Sequence, residues 1–242
     1  TAGTSMTEQA IATALACLLA HLMADFVFQT NAMVAAKRKP HILLLHGVIV
    51  FAATAMALGG SLLPVGLLAL AHVGIDAVKT YAVPEQHRER LWPYLSDQAA
   101  HLATIAVFTL YTPDAFASGL WAAQSTTLIP PALFLAGLIT ATLAGGPAVG
   151  GLMLPHKAQA QPDGLENAGR VIGLLERALI FLMVMIGEPT GIGFLIAAKS
   201  ILRFDTVKKN QKISEYVIIG TLASFGWALI VAFATLAAMN SL

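Results

Sequence analysis

Long apolar stretches separated by short polar loops repeat from one end of this chain to the other. A helix crossing about 30 Å of hydrocarbon needs roughly 20 mostly apolar residues. By that measure 7–28, 41–59, 62–81, 95–112, 127–151, 168–187 and 214–239 are candidate spans. A further apolar helix, 190–204, carries Lys199 and Arg203 and is short for a full crossing. It either crosses with its basic end snorkelling to the surface or is re-entrant. The expected fold is therefore all-α: a polytopic transmembrane helix bundle of seven to eight helices.

The basic residues orient that bundle. Loop 29–40 holds Lys37, Arg38 and Lys39, loop 82–94 holds Arg88 and Arg90, and loop 152–167 holds Lys157. Segment 205–213 holds Lys208, Lys209 and Lys212, whereas 59–64, 113–126 and 188–190 contain no Lys or Arg. Cytoplasmic placement of the basic loops satisfies the positive-inside rule throughout and puts the N-terminus outside. It also requires 190–204 to cross, which gives eight helices with both ends outside. Seven result if 190–204 is only a half-helix. The Gly145-Gly146-Pro147 and Gly150-Gly151 stretches let the 127–151 crossing kink.

Composition supports a lipid environment. Hydrophobic residues make up 57% of the 242 positions and charged residues only 11%, against about 25% charged in ordinary soluble domains. The net charge of +1 lacks the clustered basic excess of a nucleic-acid binder, so no nucleic-acid partner is expected. The single cysteine, Cys17, lies in an apolar run and supports neither a disulfide framework nor a cysteine metal site. Residues 1–6 read as an added leader and the start of the chain proper. Within one membrane domain, 7–112 forms a four-helix half and 127–242 a second helical half.

The first half concentrates its polar side chains. His21 and Asp25, His72 and Asp76, and Asp97 and His101 are pairs four positions apart, each on one helical face, and His46 joins them from the second span. The order reverses to Asp-x-x-x-His in the fourth span because that helix runs the opposite way. All three Asp residues therefore lie nearer the cytoplasm, with the His residues about 6 Å deeper at 1.5 Å per residue. Neutral imidazole and carboxylate together suit a divalent transition metal such as Zn, Fe or Mn, as one ion or a dinuclear pair. His21, Asp25, His46, His72, Asp76, Asp97 and His101 are the candidate ligands. A proton pathway or interhelical hydrogen bonding would use the same residues.

His41, His87 and His156 fall in or beside loops and read as surface residues. Gln29 and Asn31, beyond Asp25, could cap the helix end, and Gln29 could contact substrate. Gln98 beside Asp97 is a residue that would support a ligand. The second half contributes Arg170, Glu176, Arg177, Lys199, Arg203 and Glu215. A Glu176–Lys199 pair would offset the cost of burial, or the basic groups would form an anion pocket. Gly169/Gly173, Gly146/Gly150 and Gly187/Gly191 suit close helix contacts, within the chain or in an oligomer.

The run His21-Leu-Met-Ala-Asp25-Phe-Val-Phe-Gln29, followed by His46, His72-x-x-x-Asp76 and Asp97-Gln98-x-x-His101, resembles the domain-of-unknown-function 3307 family of bacterial inner-membrane proteins. Gly173-Leu-Leu-Glu176-Arg177, Gly191 to Phe204 and Glu215 to Phe225 are similar to its longer members. The resemblance implies a multi-pass protein of the bacterial inner membrane. At the level of pattern alone, the His-x-x-x-Asp helices resemble membrane-bound metal-dependent hydrolases.

The expected function is a metal-dependent membrane hydrolase acting on a lipid-linked or amphipathic substrate at the cytoplasmic leaflet. Asp76, Asp97 and Glu176 are its candidate catalytic groups, and Gln29, Arg170, Lys199 and Arg203 its candidate substrate contacts. A di-iron oxygenase hydroxylating a lipid or isoprenoid would use the same ligands. A metal-ion or proton-coupled transporter is the alternative outside catalysis, although no internal repeat supports it. A purely structural or signalling subunit is the remaining class.

Overall fold

The computed structural model describes residues 6–60, 62–157, 168–209 and 211–242, with side chains given for all of these except 202–209. Every regular element among them is helical. They are α1 (Met6–Leu22), α2 (Asn31–Ala36), α3 (Pro40–Leu58), α4 (Leu62–Ala82), α5 (Leu91–Tyr111), α6 (Ser125–Ile139), α7 (Gly145–Lys157), α8 (Ala168–Met185), α9 (Gly191–Lys209) and α10 (Gln211–Asn240). π-Helical turns continue α1 through Met23–Phe28 and join α6 to α7 through Thr140–Ala144.

Five helical stretches are long and apolar enough to cross a membrane: Met6–Phe28, Pro40–Leu58, Leu62–Ala82, Ala122–Lys157 and Gln211–Asn240. Gly191–Ile201 is a shorter apolar helix. From the sequence, α5 and α8 are expected as spans too. Both fall short in apolar character because of what they carry: Asp97, Gln98 and His101 in α5, and Arg170, Glu176 and Arg177 in α8. Three expected loops are partly helical. Residues 31–36 form α2, α7 runs on to Lys157, and α9 runs on to Lys209, while 158–167 lie outside the described residues.

The chain forms two compact units, Thr1–Arg88 with Pro93–Ala136, and Glu89–Trp92 with Gly137–Leu242. In the first, α1 packs on α3 and α3 on α4. Ala12, Ala16, Cys17, Leu58, Val65, Leu68, Ile105 and Phe116 make its core. Gly59 ends α3 at φ 62°, a left-handed conformation that costs glycine nothing. The following loop is latched by Leu120 N–H donating to Gly59 O (3.0 Å) and Trp121 Nε1–H to Met56 O (2.7 Å). Between α3 and α4, a Cβ at Gly47 would stand 2.6 Å from Val73 Cγ2. Glycine there permits the close approach that sets His46 beside His72.

In the second unit α10 packs against α7, α8 and α9. A π turn leaves carbonyls without the usual helical donors. The buried Arg177 donates into this turn: Nε donates to Ala141 O (3.1 Å) and Nη2 to Thr142 O (2.8 Å). Nη1 donates to Ser224 Oγ (3.2 Å), and Trp227 Nε1 donates to Thr140 O (2.9 Å).

Candidate metal centre

The seven His and Asp residues singled out in the sequence converge in the first unit, one pair or single residue from each of four helices. His21 lies in the last turn of α1 and Asp25 in the π turn that continues it. His46 comes from α3, His72 and Asp76 from α4, and Asp97 and His101 from α5. The six apart from Asp25 are at most 6% exposed, and the Asp25 side chain is 9% exposed.

Four donor atoms crowd together. His46 Nε2 lies 3.1 Å from His72 Nε2, 3.2 Å from Asp25 Oδ1 and 3.3 Å from Asp76 Oδ2. His72 Nε2 lies 3.1 Å from Asp25 Oδ1 and 3.6 Å from Asp76 Oδ2. Each Nε2 carries at most one proton, so hydrogen bonding can serve no more than two of these five contacts. Asp25 Oδ1 and Asp76 Oδ2 indeed lack a partner in hydrogen-bond geometry among the described residues. A tetrahedron with metal–ligand bonds of about 2.0–2.2 Å has edges of about 3.3–3.6 Å. The five separations of 3.1–3.6 Å that involve the two imidazole nitrogens lie close to that spacing.

The remaining members lie alongside. The ring centroid of His101 is 4.0 Å from that of His72 and 5.0 Å from that of His21. His101 Nδ1 lies 2.8 Å from the Asp97 carbonyl, which can only accept, so Nδ1 carries the proton and Nε2 the lone pair. His101 Nε2 and Asp97 Oδ1 are buried without a hydrogen-bond partner among the described residues. The same logic applies to His21: Nε2 donates to Gln98 Oε1 (3.2 Å), which leaves the lone pair on buried Nδ1. Gln98 Nε2 in turn donates to Asp97 Oδ2 (3.3 Å). Three overlapping triads can each hold a metal ion: His21–Asp25–His72, His46–His72–Asp76 and Asp76–Asp97–His101. A small cavity beside them is lined by His21, His72 and His101 together with Cys17, Val50, Thr54, Leu68, Thr104 and Ile105.

The expected separation into an Asp layer and a deeper His layer is not kept at the side-chain level. The i,i+4 pairs fold toward each other, with His21 Nδ1 3.8 Å from Asp25 Oδ2 and His72 Nε2 3.6 Å from Asp76 Oδ2. Backbone rise alone set the layers apart, and long side chains close the gap.

Two lysines that the sequence reading left out of the site belong to it. Lys37 Nζ pairs with Asp76 Oδ1 at 2.7 Å, and Lys79 Nζ with Asp97 Oδ2 at 2.8 Å. Lys37 was legible only as part of a basic loop. Lys79, a lone lysine three residues after Asp76 in an apolar span, was a usable signal.

The other predicted residues are placed differently. Gln29 stands at the C-cap of the π turn that ends the first span, and Thr30 caps α2, its hydroxyl accepting from Met33 N. Gln29 Nε2 is withdrawn from solvent with no hydrogen-bond partner among the described residues. Glu176 and Lys199 pair with each other at 2.7 Å in the second unit, where Lys199 also lies over the Phe225 ring. Arg177 donates to the Ala141 and Thr142 carbonyls and to Ser224 Oγ. Arg170 is exposed, and the Arg203 side chain lies outside the described residues. His41 and His156 are exposed and His87 is half-buried, so all three stand apart from the cluster.

The family model DUF3307, described as a protein of unknown function, matches residues 14–129, which contain all seven His and Asp residues together with Lys37 and Lys79. No curated protein and no solved structure matches the chain.

Proposed function

We propose that this chain, which belongs to the DUF3307 family through residues 14–129, is a metal-dependent membrane hydrolase acting on a lipid-linked or amphipathic substrate. The observation that carries the reading is the convergence of His46 Nε2, His72 Nε2, Asp25 Oδ1 and Asp76 Oδ2 at 3.1–3.6 Å. Lys37 pairs with Asp76, whereas Asp25 faces only imidazoles; burying a carboxylate without a cationic partner costs several kcal/mol, and a shared divalent cation removes that cost.

The donor sets favour two ion positions. The first has four protein donors and is closed, as structural sites are. Asp97 and His101, with Asp76 shared between the two positions, would hold a second and leave a place open, the arrangement of hydrolytic centres. When bound, ions here supply Lewis acidity and lower the pKa of water in the open place toward about 7. Within the chain, His21 is the proton acceptor: its Nδ1 lone pair is buried beside Asp25 while Gln98 fixes the ring through Nε2. Asp76 has both oxygens engaged and serves as ligand rather than base. The ligands are nitrogen and carboxylate oxygen, which suits Zn, Fe or Mn.

The membrane setting rests on the apolar stretches and on the wide apolar exterior of α3 and α4, with Leu44, Val48, Met56, Leu63, Leu67 and Leu70 among its exposed residues. In this reading eight helices cross, the basic loops face the cytoplasm of a bacterial inner membrane, and α5 and α8 cross shielded by their neighbours.

Elemental analysis of the full chain purified into lipid nanodiscs tests the proposal. One to two transition-metal ions per chain are expected, with water-dependent cleavage of an amphipathic ester lost on their removal. No bound ion after reconstitution with Zn, Mn or Fe(II) ends the reading. A requirement for dioxygen would instead favour oxygenation.

A further inference from the structure

The two lysines run from the surface to the buried ligands. Lys37 and Lys79 side chains keep 17% and 28% exposure, while the carboxylates they hold are 2% and 4% exposed. An ammonium has three N–H donors, and one carboxylate contact uses one of them. Lys37 follows α2 and Lys79 lies in the last turn of α4, so separate elements bring both ammoniums to the same carboxylate cluster.

Charge balance specifies what could join them. Asp25, Asp76 and Asp97 against Lys37 and Lys79 leave one net negative charge with the imidazoles neutral. One divalent ion turns that into one net positive charge, and two ions into three. Uncompensated buried charge is costly, so the doubly loaded centre calls for an anion that brings more than one negative charge. A carboxylic ester brings none. A phosphate monoester brings up to two and presents several acceptor oxygens, which metal ions and lysine ammoniums contact together.

Building on the metal reading above, we propose that the Lys37–Lys79 edge of the cluster binds a phosphate group, so that the substrate is a phosphorylated amphiphile. Calorimetry on the metal-loaded full chain in phosphatidylcholine nanodiscs, titrated with inorganic phosphate, tests this. Phosphate is expected to bind, and Lys37→Gln and Lys79→Gln, at saturating metal with metal content verified, each weaken it about tenfold. Glutamine keeps a donor to the carboxylate, and Lys37→Arg or Lys79→Arg restores binding.

Phosphatidic acid added to the nanodiscs separates the sources of the phosphate. Displacement of inorganic phosphate identifies a lipid head group, and no displacement identifies a soluble phosphate; both support the proposal. Full metal content without phosphate binding overturns it, as do Gln variants that bind like the wild type. Lysine-dependent phosphate binding by a chain that takes up no metal sinks the metal reading and keeps the phosphate site. A chain that binds neither loses both.

Discussion

Two imidazole nitrogens, each within 3.6 Å of the other and of two carboxylate oxygens, present a problem that protons cannot fully solve, because only two are available at Nε2. A ligand and a supporting residue should then differ in measurable degree. Removing a residue that only orients a ligand costs about 10–100-fold in metal affinity. Gln98→Ala, which frees His21 and removes one of the two donors to Asp97 Oδ2, should fall in that range. His46→Ala deletes a donor outright and should lose more than that, measured by competition with a chromophoric chelator. Equal affinities for the two variants would place His46 outside the coordination sphere. The three i,i+4 pairs and His46 were readable because helical periodicity fixes which residues share a face. Lys37 was not, because its partner Asp76 lies 39 positions away and only the fold brings the turn after α2 to α4.

At the scale of elements, the cluster depends on how closely two helices approach and on where one helix changes pitch. Gly47 and Val73 sit next to His46 and His72, with only 2.6 Å for an added Cβ. Gly47→Ala should push α3 from α4, cost about 1–3 kcal/mol by overpacking and weaken metal binding. Val73→Ala in the same chain should restore both, as read by thermal unfolding and metal titration. Absence of rescue would place the defect elsewhere. In the second unit Arg177→Met removes the side-chain donors to the π-turn carbonyls of Ala141 and Thr142. It should lower stability by about 1–3 kcal/mol per stranded group, read by thermal unfolding in detergent, and an unchanged transition would contradict the bracing role. Helix identities were legible from apolar run lengths. The π turns at 23–28 and 140–144 were not, because a one-residue change of pitch leaves the hydrophobic pattern nearly intact, and the bracing of the second turn depends on Arg177 from another helix. Glu176 and Arg177 were recognisable as buried charges, yet their partners decide their use: Lys199 takes one and backbone carbonyls the other.

For the whole molecule, the basic loops predict a topology that single cysteines can read, since Cys17 is buried at 2% exposure and stays silent. Ser118→Cys should label from outside intact cells, and Lys39→Cys only after permeabilisation. Leu242→Cys separates the counts: outside for eight crossings, inside for seven. The central claim concerns the space between α1, α3, α4 and α5, and element-specific anomalous X-ray diffraction from crystals of the metal-loaded chain addresses it most directly. A peak within about 2.2 Å of His46 Nε2, His72 Nε2, Asp25 Oδ1 and Asp76 Oδ2 is the predicted result. Loaded crystals with the metal bound elsewhere, and these four atoms paired only with one another, would contradict it.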